Sequence, residues 1–320
     1  LYYPAEKSIS IIKDVPKLLT IVCPIFNEEA ALPLFLKRIR PVIDILTEQY
    51  RINLLFINNA STDGSFELIE RFKEVVPFIY VISLSRNFGY QRSLECGLHN
   101  AKGDLLVFID VDCEDPPEII HEFVKHYNNG HDIVYGERVD REEIGILKIL
   151  RKLFYHIIQW VADEDIVLYM AEFCLITSEV RDAMVETHNS FPFIRSALAR
   201  VGFKRIGIPY KRCCRIAGKS HYNLMDMTIF AIAGILSSTT LPLRFPIYSL
   251  LFWLVLTTFL GVEQIITGNP WMLLVNALVA CTYLGSTIAF IALYVARTYK
   301  NGLGKPNYVI HKRYSHFQPK

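Results

Sequence analysis

Two long apolar runs near the C-terminus constrain this chain's fold more than any other feature. Residues 246–266 read PIYSLLFWLVLTTFLGVEQII, with Glu263 as their one charge. Residues 271–296 read WMLLVNALVACTYLGSTIAFIALYVA, with no charge. A bilayer core of about 30 Å takes roughly 20 apolar residues as helix, and both runs reach that length. Thr267-Gly268-Asn269-Pro270 between them reads as a turn. A tight transmembrane hairpin is therefore predicted. A helical pair buried in a soluble fold is the competing reading, but two adjacent runs this long are rare there. Glu263 and Asn276 either pair between helices or subunits, or Glu263 reaches the far interface.

The flanks orient the hairpin. Residues 204–244 hold seven Lys/Arg and one acid, Asp226, and residues 297–320 hold six Lys/Arg and no acid. The turn is uncharged. The positive-inside rule places both chain ends in the cytoplasm, with the basic flanks near anionic headgroups. Residues 1–203 carry 21 basic and 30 acidic residues, a net of −9. The overall charge of +2 thus hides an acidic N-terminal region beside basic segments. Such a balance excludes a polyelectrolyte tail and argues against a nucleic-acid binder. At 52% hydrophobic the chain is not disordered. The N-terminal LYYPAEKSISIIKDVPK lacks the apolar core of a secretory signal. Seven scattered cysteines without a CxxC pair read as reduced thiols.

Residues 18–135 alternate apolar runs with helical patterns. The runs Leu18–Cys23, Asn53–Ile57, Phe78–Leu84, Asp104–Ile109 and Asp132–Tyr135 suit strands buried on both faces. Between them, Glu28–Ile39, Ser65–Val75, Tyr90–Ala101 and Pro117–Tyr127 read as helices. This alternation predicts a doubly wound, mostly parallel α/β sheet. Ligands bind such sheets at the carboxyl ends of the strands. The residues there are polar: Pro24-Ile-Phe-Asn27-Glu28-Glu29, then Asn58-Asn59-Ala60-Ser61-Thr62-Asp63-Gly64, then Ser85-Arg86-Asn87-Phe88-Gly89, then Asp110-Val-Asp112-Cys-Glu114-Asp115. Neither GxGxxG nor GxxxxGK[ST] follows a strand, which disfavours a dinucleotide site and a P-loop.

Asp110, Asp112, Glu114 and Asp115 crowd one strand end. Like charges this close repel unless something positive sits among them. A hard divalent cation answers that need, since Mg²⁺ takes one or two carboxylates plus substrate phosphate oxygens. Alternation along the strand predicts that Asp110 and Asp112 face one way. A solvated turn, with Asp115 capping the next helix, is the bland alternative. Asn27 either contacts a ligand or caps a helix. Arg86 either borders a pocket or makes a surface ion pair.

PIFNEEAALP, INNASTDGS, LSRNFGYQRSLECGL, FIDVDCEDPPE and YGERVDRE, in this order, resemble the family 2 glycosyltransferases of the GT-A fold. RVGFKRIGIPYKRCCRIAGKSHY, LSSTTLPLR, the hairpin and RTYKNGLGKPNYVI narrow the resemblance. They are similar to polyprenyl-phosphate glycosyltransferases such as bactoprenol-phosphate glucosyltransferases and dolichol-phosphate mannose synthase. The resemblance covers roughly residues 18–310. It implies a nucleotide-sugar donor, a polyprenyl phosphate acceptor, inversion at the anomeric carbon, Mg²⁺ or Mn²⁺, and a homo-oligomer such as a tetramer. UDP-glucose leads among donors, with UDP-aminoarabinose-type and GDP-mannose donors as alternatives. By position it places Pro24, Asn27 and Glu28 in the first donor loop, Asn58 and Asn59 at the base, and Arg86 and Asn87 beside the donor. Asp110 and Asp112 become the DxD pair, with Asp112 the preferred metal ligand.

The acceptor side follows the pattern RxxRxAGxSKY. Arg212, Arg215, Lys219, Ser220 and His221 would grip phosphate or, alternatively, face headgroups. His221 stands where the family has Lys. Glu172, in Ala171-Glu172-Phe173, stands where the family carries an Asp near the reacting centre, and is either catalytic or a structural acid. Asn58 and Asn59 stand where the family usually has at least one Asp. These departures motivate a rival reading, a degenerate transferase serving as a membrane scaffold, which the intact DxD opposes. A processive synthase would need QxxRW and more membrane helices. The predicted organisation is an extension at 1–17, a GT-A domain at 18–221, a juxtamembrane helix at 222–244, two transmembrane helices at 245–296 and a basic tail at 297–320. Ile146–Val161 reads as an interfacial helix or as one packed on the sheet, and Tyr222–Leu241 as interfacial.

Overall fold

The computed structural model describes residues 16–139, 170–186, 193–217 and 239–317. The two predicted interfacial helices fall largely outside these residues.

The alternation resolves into β1 (Leu18–Ile25), α1 (Leu32–Leu46), β2 (Arg51–Asn58), α2 (Ser65–Val75), β3 (Ile79–Ser83), α3 (Tyr90–Asn100), β4 (Leu105–Phe108), α4 (Ile120–Asn128) and β5 (Ile133–Val139). Then come β6 (Met170–Thr177), α5 (Ser178–Val185), α6 (Ile194–Arg200) and β7 (Arg205–Lys211). The seven strands form one sheet in the order β3-β2-β1-β4-β6-β5-β7. β6 runs antiparallel to both its neighbours, while the other pairings are parallel. The mostly parallel sheet expected from sequence is thus present, with β6 and β7 added to it.

Both sheet faces are covered, as the continuous apolar strands require. Leu19, Ile21, Leu54 and Phe56 pack with Phe35, Ile39 and Phe123 from α1 and α4. Val22, Leu55, Ile57 and Phe108 point the other way, toward Leu94 and Leu98 of α3 and Val180 and Leu198 beyond. α3 lies close on β1 because Gly97 has no side chain. A Cβ there would sit 2.4 Å from Val22 Cγ1.

α1 differs from its prediction at both ends. It starts at Leu32, because residues 27–29 are held by the neighbouring loop, and it continues through Pro41 to Leu46. Proline removes one backbone donor, and Pro41 sits on the exposed face of the helix, where that loss is borne at the solvent side.

β1 and β4 are adjacent, yet the chain leaves β1 toward β2 and β3 and then returns across it to β4. The strand order reverses between them. That crevice, at the carboxyl ends of β1 and β4, is where an open α/β sheet holds its ligand.

The apolar runs form α7 (Leu241–Thr267) and α8 (Pro270–Gly302), of 27 and 33 residues. At 1.5 Å per residue they are roughly 40 and 50 Å long. They are joined by Gly268 in the left-handed region and by Asn269, whose side chain caps α8 at Trp271 N. Trp253 and Tyr283 pack across the pair at 5.4 Å. Leu251, Ile265 and Trp271 are exposed, and so is most of the hairpin's apolar surface. Both helices are long and apolar enough to cross a membrane.

Beyond α8 the chain returns to the sheet. Residues 308–316 run along the free edge of β3, with Ile310 opposite Leu84 and His316 opposite Val81. Ser85 N donates to Val309 O, His311 N to Ser83 O, and His316 N to Val81 O. Asn307 Nδ2 donates to Glu95 Oε1 on α3 at 2.6 Å.

Candidate functional site

The first two loops brace each other at the crevice. Asn27 adopts the left-handed region at φ 56°. Its Oδ1 accepts from Thr62 N at 2.7 Å, and its N–H donates to Ser61 Oγ at 3.1 Å. Glu28 N–H donates to Ser65 Oγ at 2.8 Å, and Glu29 N–H to Asp63 Oδ2 at 3.1 Å. The capping alternative for Asn27 therefore falls, since Ala31 occupies the α1 cap. Pro24 is buried within β1, opposite Ile57, one residue short of the loop.

Asn58 and Asn59 are buried and spend their amides on the same bracing. Asn58 Oδ1 accepts from Ser61 N at 3.0 Å, and its Nδ2 donates to Ser83 Oγ at 3.3 Å. Asn59 Nδ2 donates to Asn87 Oδ1 at 2.9 Å, while its Oδ1 accepts from Phe88 N at 2.9 Å. An aspartate at 59 would set two oxygens against each other, so the asparagine there has a local reason. Arg86 is exposed, with its guanidinium 4.0 Å from the centre of the Phe88 ring. Its partner is that ring and the Asn87 carbonyl, not an acid, among the described residues.

Residues 110–115 carry the acids. β4 ends at Phe108, so strand alternation does not reach Asp110 and Asp112. The backbone instead turns through Cys113 at φ 57°. Each acid has its own partner. Tyr90 Oη donates to Asp110 at 2.9 Å. Arg215 Nη1 pairs with Asp112 Oδ2 at 3.1 Å, and its Nη2 with Glu28 Oε1 at 2.5 Å. Arg212 pairs with Glu114. Asp115 is 2% exposed and accepts from Arg138 Nη2 at 2.9 Å and from the Tyr210 hydroxyl. It does not cap the next helix, whose first turn follows Pro116 without a side-chain cap. The half-buried Arg138 and the buried Tyr210 offer charge and hydrogen bonds that a helix end in solvent does not.

Glu172 is 7% exposed and pairs with Arg195 of α6. It lies two residues beyond the Phe108–Cys174 pair of β4 and β6, which brings it level with Asp110. Burial pushes the Asp110 carboxyl well above the usual range, and the charges of Asp112, Asp115 and Glu172 push it further, against the Tyr90 hydrogen bond. Burial and the Asp110 charge in turn raise the Tyr90 phenol. Glu114 is raised by burial and then by Asp112.

Among the described residues Asp110 has no cationic partner. Its environment fits a hard divalent cation, because an extra positive charge would relieve the repulsion around it. No three His, Cys, Asp or Glu side chains converge as a ready metal cage among the described residues. The chain would thus supply one or two carboxylates, leaving phosphate and water oxygens to complete the shell.

The structure brings together Glu28, Asp110, Asp112, Glu172, Arg212 and Arg215, with Asn27, Asn58, Asn59, Arg86 and Asn87 in the adjoining loops. Lys219, Ser220 and His221 lie outside the described residues. Sequence reasoning missed Tyr90, Asp115 as a buried anchor, Arg138, Arg195 and Tyr210. Tyr90, Arg138 and Tyr210 lie within the quoted family segments, which marked their neighbourhood but not their partners, and Asp115 was one acid more than a solvated turn needs.

The model of the family described as Glycosyl transferase family 2 matches residues 20–201. An uncharacterized glycosyltransferase of Bacillus subtilis, YkcC, is 31% identical over 305 residues, 92% of this chain and 94% of its own length. The SfII prophage-derived bactoprenol glucosyl transferase of Shigella flexneri is 31% identical over 305 residues, 92% of this chain and 97% of its own. Among solved structures, the mannosyltransferase PcManGT of Pyrobaculum calidifontis, in complex with GDP-Man and Mn²⁺, is 17% identical. It covers 92% of this chain and 89% of its own, with a TM-score of 0.44. By its sequence this chain belongs to glycosyltransferase family 2, GT-A enzymes that transfer a sugar from a nucleotide-sugar donor, and within it is related to the bactoprenol sugar transferases.

Proposed function

We propose that the protein transfers one hexose, with inversion, from a UDP-sugar to a polyprenyl phosphate at the cytoplasmic face of a bacterial membrane. UDP-glucose is the favoured donor. The observation that carries this reading is the meeting of two chemistries at one crevice. Acids suited to a metal-bound diphosphate lie against Arg212 and Arg215, which come from the segment leading into the apolar hairpin. The full-length likeness to bactoprenol glucosyl transferases supports it. α7 and α8 span the bilayer in this reading, and the basic residues on both flanks keep both ends cytoplasmic.

A divalent cation, when bound, would offset the negative charge that develops on the nucleoside diphosphate leaving group. Asp110 and Asp112 would hold it. The Asn27–Thr62 and Asn59–Asn87 braces fix the loops around the nucleotide, and Arg86 reaches the donor from the rim. An acceptor phosphate oxygen forms the new bond to the anomeric carbon as the bond to the diphosphate breaks. That phosphate is already ionised at neutral pH, so no strong base is needed. Glu172, held by Arg195, orients the acceptor or the sugar. Arg212 and Arg215 with Lys219, Ser220 and His221 grip the lipid phosphate.

The test is direct. Purified protein in detergent is given polyprenyl phosphate, Mg²⁺ or Mn²⁺, and a panel of radiolabelled nucleotide sugars. A charged glycolipid from UDP-glucose is expected. Product from GDP-mannose alone would correct the donor, and no product from any donor, with lipid bound, would favour the scaffold.

A further inference from the structure

Arg215 joins the first loop to the acid cluster. Its two terminal nitrogens are taken by Asp112 and Glu28, and its Nε donates to the Ala217 carbonyl at 2.9 Å. The three side chains are 13–19% exposed, so water screens the pairing only weakly. Asp115 and Glu172 are neutralised from regular elements, by Arg138 on β5 and Arg195 on α6, and Glu114 by Arg212 from the loop after β7. Arg215, from that same loop, ties the first loop to the cluster and holds Asp112 beside Asp110, which has no cationic partner among the described residues.

This placement has two consequences. A guanidinium with both its forked nitrogens on carboxylates cannot also grip a phosphate bidentately. A divalent cation arriving between Asp110 and Asp112 meets a like charge already seated on Asp112. Only one of the two cations can have that carboxylate to itself.

We propose that Arg215 is a built-in counter-ion, displaced from Asp112 when the metal-bound donor enters, and freed by that exchange to receive the acceptor phosphate. The site then loads in order, donor before acceptor. Without the donor, Arg215 stays on the acids, and the unshielded charge of the cluster repels the lipid phosphate. With it, the carboxylates have a stronger partner and the guanidinium faces the acceptor. The inference rests on the reading that Asp110 and Asp112 hold the metal and that the acceptor is a lipid phosphate.

The experiment measures binding, not turnover. Mn²⁺ affinity of the full-length protein in detergent is followed by electron paramagnetic resonance, without nucleotide. Arg215→Ala is expected to bind Mn²⁺ about tenfold more tightly than wild type, the change that loss of a competing ion pair of roughly 1.4 kcal/mol gives. Glu28→Gln, which loosens the arginine but keeps both aspartates, should shift affinity the same way and add nothing on top of Arg215→Ala. Binding of a radiolabelled polyprenyl phosphate in micelles should rise about fivefold in wild type when Mn²⁺ and UDP are both present, and stay low in Arg215→Ala. Circular dichroism checks the fold of each variant, and Arg215→Met serves if the alanine variant unfolds. Unchanged or weaker Mn²⁺ binding in the folded Arg215 variants overturns the proposal. So does lipid binding in wild type that ignores Mn²⁺ and UDP. Absence of Mn²⁺ binding in every protein, even with nucleotide, would instead sink the metal-site reading beneath it.

Discussion

Asp110 is the residue at which stability and function pull apart. Its carboxyl is raised by burial and by neighbouring acids. A raised carboxyl favours the folded state fully below the unfolded value, near 3.9, and loses that contribution as pH climbs through the folded value. The metal-free protein is therefore expected to be least favoured by Asp110 at neutral and alkaline pH. Asp110→Asn should raise the melting temperature at pH 8 in chelator, leave it unchanged at pH 4, and abolish transfer. An equal shift at both pH values would refute this account. Asp115 poses the opposite case. It is almost fully buried, and Arg138 is its main counter-charge. Arg138→Ala leaves that carboxylate unpaired and should cost about 3–5 kcal/mol in urea unfolding. A loss below about 1 kcal/mol would mean that Tyr210 and Arg212, whose Nε lies 3.9 Å from Asp115 Oδ1, suffice. The polar loop residues were legible in sequence because they follow apolar strands. Their partners were not, because Arg138, Arg195 and Tyr210 sit 23 to 95 residues from the acids they serve, and pairing over such distances has no local pattern.

The elements divide along similar lines. β1 to β5 were legible as apolar runs between amphipathic helices. β6 and β7 were not, since their runs follow a long stretch without alternation, and β7 includes a proline and a glycine. Glu28–Glu29 suit a first helical turn by type, yet hydrogen bonds to Ser65 and Asp63 hold them in the loop. Here tertiary bonding overrode local preference. Gly97 shows the converse, a residue whose type is explained only by the packing of two elements. Gly97→Val would drive a side chain into Val22 and separate α3 from β1. It is expected to cost at least about 1–3 kcal/mol, measured by thermal unfolding, while Gly130→Ala, with nothing within 4 Å of its Cβ, is expected to cost less despite its positive φ. The segment at 308–316 covers a sheet edge that would otherwise offer unpaired backbone groups. Removing residues 306–320 should expose β3 and promote association, read by light scattering in detergent.

For the whole molecule, the hairpin sets the topology. If α7 and α8 span the bilayer, a cysteine at Asn269 lies on the far side from the sheet. Asn269→Cys, in a background where Cys213, Cys214 and Cys281 are serine, should react with a membrane-impermeant maleimide applied from outside intact cells. Labelling only after lysis would invert or remove the proposed span. In the proposed reading the acidic sheet domain holds cation and nucleotide, and the basic flanks meet the lipid surface. The return of the chain from α8 to β3 gives this arrangement a mechanical character. A domain on a single leash could tilt and swivel above the membrane. This one is also tied from the hairpin's exit, where residues 308–316 pair along the edge of β3. If the hairpin spans the bilayer as proposed, this second tie limits how far the mouth can tilt, and a lipid acceptor diffusing in the plane is the partner that does the travelling.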